Sequence, residues 1–352
     1  MLFMWRCHTN LLVVFAVLMG PFFHDMCSAR SAEMKKPCST CHTIHNSEEN
    51  IARAAGGPLE ALMTATCAGC HTGTNDGDPD KPFVFDIAAP AYGPGAGGTL
   101  AGGSFSWVGG ADLKGHNVVG VGATQVLGRT PPGGSPLTFD TLTCAGENGC
   151  HGDRSVASQV KSIWGSHHSP EESSSTNGST IARSYRFLEG ISGVEDPDWE
   201  YTLAFDDHNQ YKGDARGSDV DTDTFSISHL CAKCHGAFHS GANPSFASPW
   251  LRHPVDYDMG DATGSEYAGY GDGGAGIYNV RTPLASSTIP DPIPGSVTLG
   301  GVGDGTAIIT CITCHRAHGS PYDYSLRWDY KRWPGAGGDN NGGCYDCHTV
   351  KM

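Results

Sequence analysis

Twelve cysteines and six histidines gather into six clusters along this chain. Five clusters share the form Cys-x-x-Cys-His: Cys38, Cys41 and His42; Cys67, Cys70 and His71; Cys231, Cys234 and His235; Cys311, Cys314 and His315; Cys344, Cys347 and His348. The sixth is stretched, with five residues between Cys144 and Cys150 and with His151 directly after. Outside the clusters lie only Cys7 and Cys27, both near the start. Each cluster offers two soft nucleophiles at a fixed short spacing and one imidazole beside the second. Zinc could use two such cysteine pairs, but it does not require a histidine immediately after each second cysteine. Thiol–disulfide exchange accounts for one copy, not five, and unliganded pairs oxidise once exported.

Covalent haem c uses every atom of the pattern. The two thiols add to the two porphyrin vinyl groups, and the adjacent histidine is brought under the iron as one axial ligand. For Cys144, Cys150 and His151 two readings stand. The three extra residues bulge away from a sixth haem, which loop entropy tolerates at about 0.6 kcal/mol per doubling of loop length. Alternatively Cys144 and Cys150 form a local disulfide, leaving five haems.

A second axial nitrogen must come from elsewhere. Of the histidines past the first thirty residues, nine do not follow a cysteine. The preferred ligands are His45, His116, one of His167 and His168, His239, His253 and His318. His45, His239 and His318 lie just beyond a motif and could swing onto a neighbouring haem. His116 and His253 sit in loops bounded by glycine or proline. His208 and His229 are read as hydrogen-bonded or surface histidines. Met34, Met63 and Met259 are the methionine alternatives. Two histidines per iron leave no open position and favour a lower potential than Met/His ligation, so the expected function is outer-sphere electron transfer and not catalysis.

The elements that must position these groups are sparse. The chain has 49 glycines and 21 prolines, a fifth of its 352 residues, and is 38% hydrophobic. That is little material for an ordinary core of this size, and bound porphyrin would supply the missing apolar area. The expected fold is mostly irregular, with short helices and a few short strands organised around a chain of covalently bound haems. The motifs pair as 38–71, 144–235 and 311–348, with an insertion at 166–225 in the middle pair. Ser104–Trp107 reads as a short strand. Ser296–Thr310 reads as a hairpin turning at Asp304-Gly305. Arg154–Gly165 reads as a helix with Val156, Val160, Ile163 and Trp164 on one face. Ser320-Pro321 with Asp323 reads as a helix start, and Glu171–Ser179 as a loop. The alternating acids Asp76, Asp78, Asp80 and Asp219, Asp221, Asp223 depart from the calcium-loop pattern and read as solvated. Trp107, Trp164, Trp199, Trp250, Trp328 and Trp333 are expected to pack on porphyrin or the small core.

Residues 1–29 read as an export signal, with Arg6 ahead of the apolar run Leu11–Met19 and small residues at Ser28 and Ala29. That run is shorter than the roughly 20 residues of a membrane span. The expected mature region is 30–352, in the periplasm or at the outer surface. A formal charge of −15 argues against nucleic-acid partners and favours solubility and cationic or metal-bearing ones.

The motifs at Cys38–His45, Cys67–His71, Cys231–His239, Cys311–Ser320 and Cys344–His348 resemble those of the multihaem c-type cytochromes with doubled Cys-x-x-Cys-His motifs. The segments at 97–105, 115–118, 193–202 and 251–257 also look like recurring pieces of such proteins. The resemblance covers most of the mature region. It implies an electron carrier of anaerobic respiration, with redox proteins, other multihaem cytochromes or extracellular metals and minerals as partners. It also implies a second possibility, head-to-tail polymerisation into a conducting filament. A multihaem reductase of a small oxyanion is the third function, but no Cys-x-x-Cys-Lys occurs.

Overall fold

The computed structural model describes residues 37–48, 51–77, 81–92, 99–120, 130–168, 175–216, 225–239, 253, 255–261, 270, 276–291, 294–297, 305–332 and 342–348. The expected signal segment, Met34, Asp78, Asp80, Asp219, Asp221, Asp223, Trp250 and Trp333 lie outside these residues.

Regular structure is confined to short pieces, as the glycine and proline content requires. The α-helices are α1 (Cys67–Cys70), α2 (Gln159–Ser162), α3 (Ile227–His239), α4 (Cys311–Cys314) and α5 (Gly342–Cys347). Four of these five contain a cysteine motif. The α3 helix departs from helical geometry at His235, where φ is −113° and ψ 41°. The strands form small separate sheets. β1 (Ser47–Glu48) pairs antiparallel with β2 (Ile51–Ala52), and β3 (Thr72–Gly73) runs parallel to β4 (Phe85–Asp86). In the insertion β5 (Ser175–Asn177), β6 (Ser192–Val194) and β7 (Gln210–Tyr211) form one antiparallel sheet in that order. β8 (Tyr257–Asp258) pairs antiparallel with β9 (Ile308–Ile309).

Three small apolar clusters replace a single core, and each touches a motif. Phe105, Val108 and Val118 gather Ala68 and Cys144. Tyr185, Ile191, Tyr211, Ile227, Leu230, Ala285 and Ile308 gather Ile312. Met259, Tyr270, Tyr278, Leu284, Val297 and Ile309 include Cys347 itself. Met259 is buried here, which accounts for it as packing.

Several local expectations are corrected. Ser104 caps a 3-10 helix at Phe105–Gly110, accepting from the Ser106 amide at 3.2 Å, so Ser104–Trp107 is not a strand. Of the hairpin expected at 296–310, residues 298–304, with Asp304 of the turn, lie outside the described residues, and its described ends pair elsewhere. Ser296 bridges to Ile277, while β9 runs against β8 and Ile308 also bridges to Ala285. Burial of Ile308 and Ile309 from both sides favours these partners. The helix expected at 154–165 shrinks to α2, and Trp164 is 83% exposed. Asp323–Ser325 is a single 3-10 turn whose Tyr324 and Ser325 have positive φ, and such backbone cannot continue a helix. Within the loop expected at 171–179, β5 forms because β6 supplies its partner.

Candidate functional site

Four of the regular motifs and the stretched one share one backbone bond. The amide of the motif histidine donates to the carbonyl of the first cysteine at 2.9 Å for His42 and His71, 3.0 Å for His315 and 2.8 Å for His348. His151 makes the same bond, to Cys144 at 3.0 Å, although seven residues separate them. The extra residues turn back on themselves: Gly149 donates to Gly146 at 2.9 Å, and Gly146, with φ of 83°, donates to His151 at 3.0 Å. Cys144 and Cys150 are both free thiols, as are the other ten motif cysteines.

Five of the six motif histidines also share a tautomer. Nδ1 of His42 lies 2.9 Å from the Ala61 carbonyl, that of His71 2.9 Å from Pro82, and that of His151 2.9 Å from Arg186. His235 meets Pro132 at 2.7 Å and His315 meets Tyr324 at 2.8 Å. A carbonyl only accepts, so each Nδ1 carries the proton and each Nε2 keeps a lone pair for a metal. Three of these carbonyls sit in turns with paired left-handed residues: Ala61 and Leu62, Arg186 and Phe187, Tyr324 and Ser325. None of these six residues is glycine, so the same strained device recurs three times at the site.

Opposite five of the six motif histidines stands a second imidazole. Ring centres are 6.1 Å apart for His42 and His168, 6.3 Å for His71 and His167, 6.4 Å for His151 and His318, 6.1 Å for His235 and His116, and 6.2 Å for His348 and His253. A metal–imidazole bond is about 2 Å and the ring nitrogen lies about 1 Å from the ring centre, so two histidines on opposite sides of one ion should be separated by about 6 Å. The residues present therefore fit haem c: free thiol pairs, a preset Nε2, and a gap of the right width. His167 and His168 both take part, against adjacent motifs, where only one of the two was expected. Burial lowers the pKa of His167 to about 4 and that of His318 to about 3, keeping both rings neutral as ligands must be.

His45 and His239 are not placed this way. His45 is exposed and its Nδ1 meets Ser47 Oγ at 2.9 Å. His239 is buried with Nε2 2.8 Å from Asp256 Oδ2, a carboxylate that also accepts from Ser226 Oγ at 2.7 Å. The His239 ring faces His229 at 6.1 Å. His208 has carbonyls at both nitrogens, 2.7 Å to Asn209 and 2.9 Å to Pro294. Among the described residues no imidazole faces His315 at the spacing of the other pairs.

The motifs follow one another in space in their chain order. The Cys41 sulfur is close enough to Cys70 to raise its pKa, after burial. Cys144 lies close enough to Cys67 to lower its pKa. Cys234 in the same way adds to burial in raising Cys150, Cys311 raises Cys231, and Cys344 adds to burial in raising Cys314. Two of the facing imidazoles tie the middle of the row together, because His116 donates its amide to His318 O at 3.2 Å and has Nδ1 2.7 Å from Ala317 O. Close backbone approach makes this possible. A Cβ on Gly102 would stand 2.9 Å from His318 Nδ1, and one on Gly103, where φ is 78°, would collide with the Gly319 carbonyl.

A family model described as the doubled CXXCH motif matches residues 302–352. Over that stretch the chain carries the doubled Cys-x-x-Cys-His pattern, and its six clusters make it similar to multihaem c-type cytochromes. Among characterised proteins it is similar to the C-type cytochrome OmcS of Geobacter sulfurreducens, with 26% identity over 348 residues, covering 83% of this chain and 78% of that one. Two solved structures also align with it. The Outer Membrane Cytochrome S Filament from the same organism gives a TM-score of 0.47 at 20% identity over 85% of each chain. The OmcS nanowires give 0.47 at 22% over 84% of each.

Proposed function

We propose that the chain carries six haems c in sequence order, five of them held between the histidine pairs 42/168, 71/167, 151/318, 235/116 and 348/253, and that it conducts electrons along this row outside the cytoplasm. The observation that carries the reading is the recurrence of one imidazole spacing, 6.1 to 6.4 Å, at five motifs. Haem c supplies a one-electron couple at each position. The motif cysteines would tether it, and at these five sites the two facing imidazoles would both bind its iron and leave no open position. The insertion belongs to the conducting unit, since His167 and His168 stand at its start and Arg186 in it orients His151. Redox proteins and extracellular metal or mineral acceptors are the partners this function requires. Among the described residues no helix is long and apolar enough to cross a membrane.

Intact mass of the protein matured in a c-type cytochrome-competent host tests the count, and optical spectra test the ligands. Six haem increments and a dominantly low-spin spectrum are expected, with any high-spin or nitrite-responsive fraction confined to the one haem at His315, which has no facing imidazole among the described residues. A dominant high-spin spectrum with a nitrite-induced shift would replace this reading with a reductase.

A second reading, assembly into a head-to-tail filament, is favoured by two complementary exposed groups. His315 lacks a facing imidazole among the described residues. His45 is exposed, as are Ile44 at 87% next to it in the chain and Ile51 at 67% on β2. An apolar patch around a spare ligand suits a second copy of this chain, and a contact of this kind does not close on itself. Electron microscopy of the wild type and of His45→Ala separates the readings: filaments in the first and their loss in the second support assembly, and dispersed monomers in both refute it.

A further inference from the structure

Two buried arginines flank the fifth motif with no carboxylate at ion-pair distance among the described residues, Glu200 acting on Arg327 only from further away. Arg316 follows His315, is 6% exposed, and donates through Nη1 to the carbonyls of Leu100 at 3.0 Å and Ala101 at 2.7 Å. Arg327 is 5% exposed, donates its amide to Cys314 O at 2.9 Å and Nε to Ile312 O at 2.7 Å. Neither pairs with a carboxylate among the described residues. Arg316 Nε and Arg327 Nη1 are buried with no hydrogen-bond partner. The two guanidinium groups are also close enough to repel one another, which adds to burial in lowering the Arg327 pKa. An isolated buried charge costs several kcal/mol, and two like charges side by side are worse.

Such a pair calls for anions delivered from outside the polypeptide. Porphyrin carries two carboxylates, its propionates, and two guanidinium groups hinged to the motif itself match that number. Carboxylate is also the acceptor that guanidinium recognises best. We propose that Arg316 and Arg327 anchor the propionates of the haem tethered by Cys311 and Cys314, setting that haem's orientation and raising its potential. The proposal rests on the haem reading above. Reduction adds one electron to the iron, and a nearby fixed cation favours the form with less positive charge. Removing a cation therefore lowers the potential. It also frees a propionate to take up a proton on reduction.

The test is a spectroelectrochemical titration between about pH 5 and 8 of holoprotein carrying Arg327→Gln, Arg316→Gln and each Arg→Lys, with Lys161→Gln as a surface control. Haem content is checked by intact mass. Each Gln variant is expected to move one transition to lower potential and give it a new pH dependence. The Lys variants should move less, and the control not at all. Gln variants with full haem content and unmoved transitions would overturn the assignment. If the Gln variants do not mature, the wild type decides. Anchored propionates leave at least one transition independent of pH over this window, and a pH dependence in every transition refutes the proposal. A colourless wild type would instead overturn the haem reading itself.

Discussion

Replacing His318 with glycine tests the ligand pairing at the least regular motif. His318 faces His151 across 6.4 Å and stacks on Phe105 with ring centres 4.7 Å apart and planes at 27°. The substitution removes one of the two imidazoles at the stretched site and leaves the other, whose Nδ1 remains held by Arg186 O. One of the five histidine-paired haems should then become five-coordinate or water-bound, converting roughly a fifth of the low-spin intensity to high spin. The lost aromatic stacking is worth about 1 kcal/mol, and the cavity adds about 2 to 3 kcal/mol. The fold should tolerate this, because the other tethers and pairs are untouched. Burial keeps His318 neutral down to about pH 3, so at neutral pH almost none of the wild-type signal should come from a protonated, detached ring. The assay is ferric absorption and electron paramagnetic resonance at pH 7, with intact mass to confirm six haems. Added imidazole should enter the vacated volume and restore the low-spin spectrum. An unchanged low-spin spectrum without imidazole, at full haem content, would refute the pairing.

Further outcomes follow from the same geometry. The double substitution Cys144→Ser and Cys150→Ser should lower the intact mass by one haem increment and leave the others, whereas a disulfide at this site would leave the haem count unchanged. Gly103→Ala places a methyl group against the Gly319 carbonyl at a positive φ, and should cost about 3 kcal/mol, seen as a lower thermal midpoint and reduced yield of holoprotein. Asp196 is buried and its pKa is raised to about 7, by burial first and then by Asp198. A raised carboxyl pKa gives stability that is complete below the ordinary value near 4 and lost as pH rises through about 7. Asp196→Asn should therefore slow hydrogen exchange in β5–β7 at pH 8, by about 2 kcal/mol, and leave it nearly unchanged at pH 4.

What the sequence by itself determined was the chemistry of attachment. Cysteine spacing and the adjacent histidine are local, so twelve thiols and six proximal imidazoles could be named without a fold. The poverty of apolar side chains likewise foretold short elements and no large sheet, because local backbone order cannot exceed the packing available to support it. Only the tertiary structure decided which second histidine meets which motif. His167 and His168 are neighbours in the chain, yet they face two different motifs. His239 lies beside a motif in sequence, but a carboxylate seventeen residues on engages it. The carbonyls that set the tautomers lie up to 103 residues from their histidines, as Pro132 does from His235. Facing partners, counter-ions and the order of the motifs in space are long-range pairings, and a spacing rule carries no information about them. They arise when glycine-lined backbones approach closely enough to bring distant loops onto one row of sites.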